Sequence, residues 1–284
     1  MRASALQEIK LQMKMKQKRL LILLVALLSA SFSAFSQISS GLDFNPVSQS
    51  ILNNPDPEDW LMWRGGYENW GYSPLTEINH DNVDQLRLAW SWEFSPAAPG
   101  SNGMQVEPTV YDGVIYIRHS DEKYSAHNAA TGDLIWQYSR ILAAEVAGYE
   151  TRLTVHRGRG VFIYEDKLIS HSTDGMLFAL NPRDGSLIWE VAMQDFRSGQ
   201  QPSGAPVAYG GSLVVPYNCT AWTAPDPCHL SAYSTEDGSL LWRWFTSPTP
   251  EDPMHSTWGD DPQVYPLEQR RNMSPWMTPA VDKE

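Results

Sequence analysis

The 284-residue chain reads as all-β, a β-propeller of four-stranded antiparallel blades, because one phrase recurs in it three times and closes each time on tryptophan. The phrase runs from Ala126 to Trp136, from Ala179 to Trp189 and from Ala232 to Trp242, so successive tryptophans lie 53 residues apart. A constant period of this size marks a repeated supersecondary unit rather than one irregular core. Inside each phrase a glycine (Gly132, Gly185, Gly238) follows Thr or Asp and precedes a short apolar run, which is the pattern of a tight turn between two strands. Upstream lie further short runs, Val114–Ile117, Lys167–Ser170 and Ser212–Val215. Short strands at regular spacing, separated by turn residues, describe propeller blades.

Residues 1–36 are expected to be a secretory signal peptide. Lys14, Lys16, Lys18 and Arg19 form a basic region, Leu20 to Leu28 an apolar one, and Ala34-Phe-Ser36 a small-residue cleavage site. The apolar stretch is short for a membrane span, and no cysteine follows the cleavage region to carry a lipid. A periplasmic location follows. Residues 1–36 hold six of the 21 basic and one of the 33 acidic residues, so the mature chain carries a net charge of −17. Such a surface repels nucleic acid and anionic lipid. The two cysteines, Cys219 and Cys228, share a loop rich in Pro, Thr and Asp. In an oxidising compartment they are expected to form a local disulfide. Without a Cys-x-x-Cys-His motif the chain attaches no c-type haem.

Residues 37–58 are polar and are expected to form an extended lead-in, with the propeller occupying 59–284. Asp59 to Asn79 is dense in aromatics that would pack as an outer strand and covering loop, and Val83 to Trp92 would enter the first blade. The seven histidines are scattered, with no spacing that suits a metal.

The opening segment, Glu107-Pro-Thr-Val-Tyr-Asp-Gly-Val114, the Trp-ended phrases, Thr257-Trp-Gly-Asp260 and Ser274-Pro-Trp-Met-Thr-Pro-Ala-Val-Asp282 together resemble the pyrroloquinoline quinone (PQQ) dependent alcohol dehydrogenases, the methanol dehydrogenase group. The resemblance implies an eight-bladed ring holding PQQ and a calcium ion. It also implies an oxidoreductase that takes hydride from an alcohol while an aspartate accepts the hydroxyl proton, and that passes electrons to a cytochrome c or a membrane quinone. A flat anionic quinone needs a face to stack on, cations and donors at its carboxylates and a Lewis acid at its carbonyl.

The resemblance places the cofactor contacts at Glu107, Arg157, Ser203, Asn218 and Trp276. Glu107 would bond the cofactor, or else stand solvated at a strand start. Arg157 would meet the quinone oxygens, or else make a surface ion pair. Ser203 would donate its hydroxyl, or else serve a turn. Trp276 would carry one face of the ring. Trp136, Trp189 and Trp242 read instead as packing between blades.

Three departures accompany these matches. Thr151 and Arg152 stand where the family has adjacent cysteines. Ala221 stands at the position of a calcium-ligating glutamate, in Asn218-Cys-Thr-Ala221, and supplies no oxygen from its side chain. The remaining metal ligand and the catalytic aspartate would fall after Glu284. At roughly 50 residues per blade, residues 37–284 correspond to four or five blades, about half a ring. The chain is therefore expected to be a truncated product or the first of two pieces, inactive alone, with a second chain completing the ring. Two other readings stand beside it: a non-catalytic propeller serving as a protein-binding or envelope-assembly scaffold, and a divergent quinoprotein that holds PQQ without the cysteine pair.

Overall fold

The computed structural model describes residues 42–93, 105–119, 121–142, 145–146, 158–198, 200–219, 228–248, 251–258 and 274–284. Asp43–Glu284 forms one compact unit. The expected signal peptide lies outside the described residues, as do Thr151, Arg152, Arg157 and Ala221. No helix among the described residues is long and apolar enough to cross a membrane.

Three four-stranded antiparallel sheets are the blades. The first comprises β1 (Thr109–Tyr111), β2 (Val114–Arg118), β3 (Lys123–Asn128) and β4 (Leu134–Ser139). The second comprises β5 (Phe162–Tyr164), β6 (Lys167–His171), β7 (Met176–Leu180) and β8 (Leu187–Ala192). In the third, β9 (Gln200–Pro202) leads to β10 (Val207–Tyr209), β11 (Ser212–Val215), β12 (Tyr217–Cys219), β13 (His229–Ser234) and β14 (Leu240–Phe245). That sheet runs β10-β11-β13-β14, and β12 turns aside to pair with β9. The middle strands are buried on both faces, whereas β8 and β14 are largely exposed.

The repeated phrase has one structural meaning in all three blades. Its alanine (Ala126, Ala179, Ala232) is fully buried and pairs across the ladder with its tryptophan, and a register shift follows each pair. A methyl group leaves room for the indole beside it. In the first two repeats the indole then leaves its own blade. Trp136 Nε1 donates to Pro182 O at 2.8 Å, and a Cβ on Gly185 would lie 2.6 Å from the Trp136 ring. A Cβ on Gly238 would likewise lie 2.8 Å from the Trp189 ring. Both glycines have φ above +70°, so the turn requires glycine for its backbone as well as for the closeness of the ring.

A third indole docks likewise. Trp90 Nε1 donates to Ala129 O at 2.9 Å, and a Cβ on Gly132 would lie 2.6 Å from the Trp90 ring. Residues 86–93 therefore touch the first blade from outside without joining its ladder, in contrast to the expected strand entry, and the Trp92 ring meets His127 at 4.6 Å. Leu86 and Leu88 remain exposed on this segment, as do Leu240, Leu241, Trp242 and Trp244 on β14.

The lead-in also differs from expectation. Ser48 caps a short helix, Gln49–Asn53, by accepting from Ile51 N, and Val47 bridges to Glu165. An Asn- and Pro-bearing stretch looks extended by composition, but the Ser cap satisfies the first turn's free N–H group. The two ends of the unit meet at Tyr67, whose hydroxyl donates to Ala208 O at 2.6 Å and whose carbonyl accepts from Val281 N at 3.0 Å. Burial pushes that phenol up to about 12.

Candidate functional site

Four short extended segments meet at one place: 105–108, 158–161, 203–206 and 274–278. Their backbones are laced together. Glu107 N donates to Arg159 O at 3.0 Å, Arg159 N to Ser203 O at 3.2 Å, Ser203 N to Pro216 O at 3.1 Å and Tyr217 N to Pro275 O at 3.1 Å. A Cβ on Gly204 would stand 2.4 Å from Pro216 and 2.9 Å from Thr278 N, so glycine is needed for this approach.

These segments enclose a cleft of about 220 Å³ lined by Arg159, Ser203, Asn218 and Trp276. Three of those residues are ones the sequence singled out. The Trp276 indole is 47% exposed, and the Arg159 guanidinium lies 4.7 Å from its ring centre. Arg159 also donates to Gln105 Oε1 at 2.9 Å and stands 6.0 Å from the Trp63 ring. Ser203 Oγ donates to Trp276 O at 2.9 Å, so its proton is engaged and towards a ligand it can act as an acceptor. Asn218, on β12, accepts from Ser274 Oγ at 3.4 Å. Cys219 and Cys228 form the expected disulfide, and Ser274 Oγ accepts from Cys219 N at 2.8 Å. The disulfide thus holds the base of the loop beside Asn218.

Glu107 does not line this cleft. Its carboxylate turns into a separate recess, where Oε1 accepts from Trp60 Nε1 and, at 2.7 Å, from Arg64 N. Arg64 has φ +58°, and a carboxylate accepting its N–H steadies that conformation. Sequence reasoning passed over Arg159, which lies against Trp276, and Gln105, which accepts from it.

The cleft suits a planar anion: an indole face, a fixed cation, a hydroxyl and an amide converge on it. It is smaller than the roughly 300 Å³ at which ligand pockets begin, so the described residues supply one wall. For calcium the match fails among the described residues. No three His, Cys, Asp or Glu side chains converge there, and the cleft lining holds no carboxylate.

Behind the cleft, burial depresses several histidines. His171 is held well below its usual value of 6.5 by desolvation and by the Arg118 charge, and His229 is lowered to about 4 by desolvation and Arg243. The unfolded chain binds these protons below pH 6.5 and the folded chain does not, so stability falls as pH drops from 6.5 towards the folded values. We expect urea midpoints to decline between pH 7.5 and 5, by about 1.4 kcal/mol per pH unit below 6.5 for each histidine. A flat profile would contradict these buried neutral rings.

Residues 60–284 match the family model described as PQQ: glucose/ethanol/alcohol dehydrogenase, beta-propeller domain. The dehydrogenase subunit of the quinone alcohol dehydrogenase of Gluconobacter oxydans is 32% identical over 87% of this chain, which covers 32% of that protein. The quinohemoprotein alcohol dehydrogenase structure from Comamonas testosteroni aligns with TM-score 0.59 and 26% identity, over 72% of this chain and 31% of that one. The fold is shared with the quinohemoprotein ADHIIG from Pseudomonas putida HK5, at TM-score 0.69 and 24% identity, over 84% of this chain and 36% of that one. The chain thus spans about a third of the length of the relatives it matches. With its Trp-docked blades and the match across residues 60–284, the chain belongs to the PQQ-dependent glucose/ethanol/alcohol dehydrogenase β-propeller family.

Proposed function

We propose that this chain supplies one wall of a PQQ pocket in a periplasmic alcohol dehydrogenase. The observation that carries the reading is the stack of Arg159 on Trp276 at the mouth of the Ser203–Asn218 cleft. Trp276 offers its open face to the flat ring, and Arg159, fixed by Gln105, offers positive charge to ring oxygens or carboxylates. Asn218 orients the edge of the ring. Bound there, PQQ would supply the hydride acceptor for an alcohol substrate. The cleft lining contains no carboxylate, so removal of the alcohol's proton is not assigned to it. A cytochrome c or a quinone is the acceptor class this reading requires.

The exposed face of β14 belongs to the same reading. Trp242 is 44% exposed, and one more docking of the kind seen at Trp90, Trp136 and Trp189 would seat it on the glycine turn of a further blade. A longer form of this polypeptide or a second chain would provide that blade.

Titration of the purified chain with PQQ, with and without calcium, is expected to quench tryptophan fluorescence saturably. Trp276→Ala is expected to weaken that binding tenfold or more while the thermal midpoint stays near that of the unmodified chain. Absence of saturable quenching in the unmodified chain would defeat the quinone reading and favour the scaffold.

A further inference from the structure

The cleft wall is braced from behind by a buried charged network that spans three blades. Arg118, at the end of β2, has only 4% of its side chain exposed, and its Nη2 lies 3.1 Å from Glu122 Oε1. Glu122 Oε1 also accepts from Thr173 N, at 3.2 Å, and from Thr173 Oγ1. The Tyr124 hydroxyl lies 3.2 Å from Glu122 Oε2 and 2.9 Å from His171 O. The second arm of the guanidinium, Nη1, stands 3.1 Å from His171 Nδ1 on β6. Arginine can only donate, so Nδ1 accepts. The other ring nitrogen, Nε2, is 2.9 Å from Gly204 O, and a carbonyl can only accept, so Nε2 carries the proton. The two neighbours fix one neutral tautomer.

Both outlets of the network sit beside cleft residues. His171 holds the carbonyl of Gly204, which follows Ser203. The Arg118 guanidinium lies flat against Gly158, which precedes Arg159: a Cβ there would fall 1.5 Å from Nη1. Resting on the quinone-pocket reading, we infer that Arg118 and His171 are positioning residues that set Ser203 and Arg159 for the anionic ligand. Neither touches the cleft. Each acts through the glycine next to a residue that does.

The test uses the full chain with His171→Phe and His171→Gln. Phenylalanine fills the space without a polar atom, whereas glutamine restores a donor and an acceptor. Hydrogen exchange is read at the Arg159 and Ser203 amides, with residues 126–136 as the distant reference, and PQQ binding is read by tryptophan quenching. His171→Phe is expected to speed exchange at the two amides tenfold or more, leave the reference unchanged and weaken binding tenfold or more. His171→Gln is expected to bring both readouts within threefold of the unmodified chain. Should His171→Phe fail to fold, Arg118→Lys, which keeps a cation for Glu122 but loses the fork, is expected to speed exchange at the same two amides only. Unchanged exchange, uniformly faster exchange, or a glutamine variant no nearer the unmodified chain than phenylalanine would overturn the inference. Failure of the unmodified chain to bind PQQ would sink the functional reading alone, since exchange decides the positioning role without ligand.

Discussion

Trp136→Ala is expected to destabilise the chain by about 3–5 kcal/mol, the range for truncating a buried large aromatic. Trp136 is only 7% exposed, and its ring fills the surface of the Gly185 turn. Its loss opens a void at a junction between blades and leaves Pro182 O without its partner. Against a total of roughly 5–15 kcal/mol for a typical domain, this is a large share. Trp242→Ala provides the comparison. The repeat position is the same, but the indole is 44% exposed, so the expected cost is under about 1 kcal/mol. Urea denaturation of the two variants separates the alternatives. Equal costs would mean that the tryptophans act within their own blades rather than across the junction.

Arg118→Met is expected to cost a similar amount, about 3–5 kcal/mol, because it leaves the Glu122 carboxylate buried without its cation. The side chain of Glu122 is 2% exposed, so water cannot replace the lost partner. The double variant Arg118→Met with Glu122→Gln removes both charges, while the amide oxygen still accepts from Thr173 and the amide NH2 faces the Tyr124 hydroxyl, which can accept from it. It is expected to be more stable than Arg118→Met alone. A double-mutant cycle by denaturant unfolding measures this coupling. An additive result would show that the two side chains are stabilised independently.

The blades were legible in the sequence because their signal is periodic. A glycine that must adopt positive φ, a tryptophan and a small residue opposite it leave the same trace at each repeat. Trp90 carries only part of that trace: Leu88-Ala-Trp90 echoes Leu134-Ile-Trp136, but no glycine turn precedes it. Its docking on Gly132 becomes evident only in three dimensions.

The site was half legible. Trp276, Ser203 and Asn218 converge with Arg159, whereas Glu107 turns into a separate recess and Arg157 lies outside the described residues. In extended chain residues two apart share a face, so periodicity alone does not tell Arg157 from Arg159 or Glu107 from Gln105. Two Arg-Gly pairs stand in succession here, Arg157-Gly158 and Arg159-Gly160. Both glycines are closely approached: a Cβ on Gly158 would stand 1.5 Å from Arg118 Nη1, and one on Gly160 2.9 Å from Glu107 O. The Arg118–Glu122–His171 network had no sequence signature, since its members lie 4 to 53 residues apart and follow no motif.

The cross-blade docking also bears on how the chain is made. Trp90, Trp136 and Trp189 are each covered by a turn synthesised later, at Gly132, Gly185 and Gly238, which follow them by 42 to 49 residues. A polypeptide emerging from its amino end therefore carries one freshly made, bare indole at each stage, until the next turn arrives. Domains generally fold in this order, and exposed apolar surface is what invites aggregation and chaperone binding. The vulnerable interval in biosynthesis is thus the time needed to add about one blade, and it recurs at every repeat.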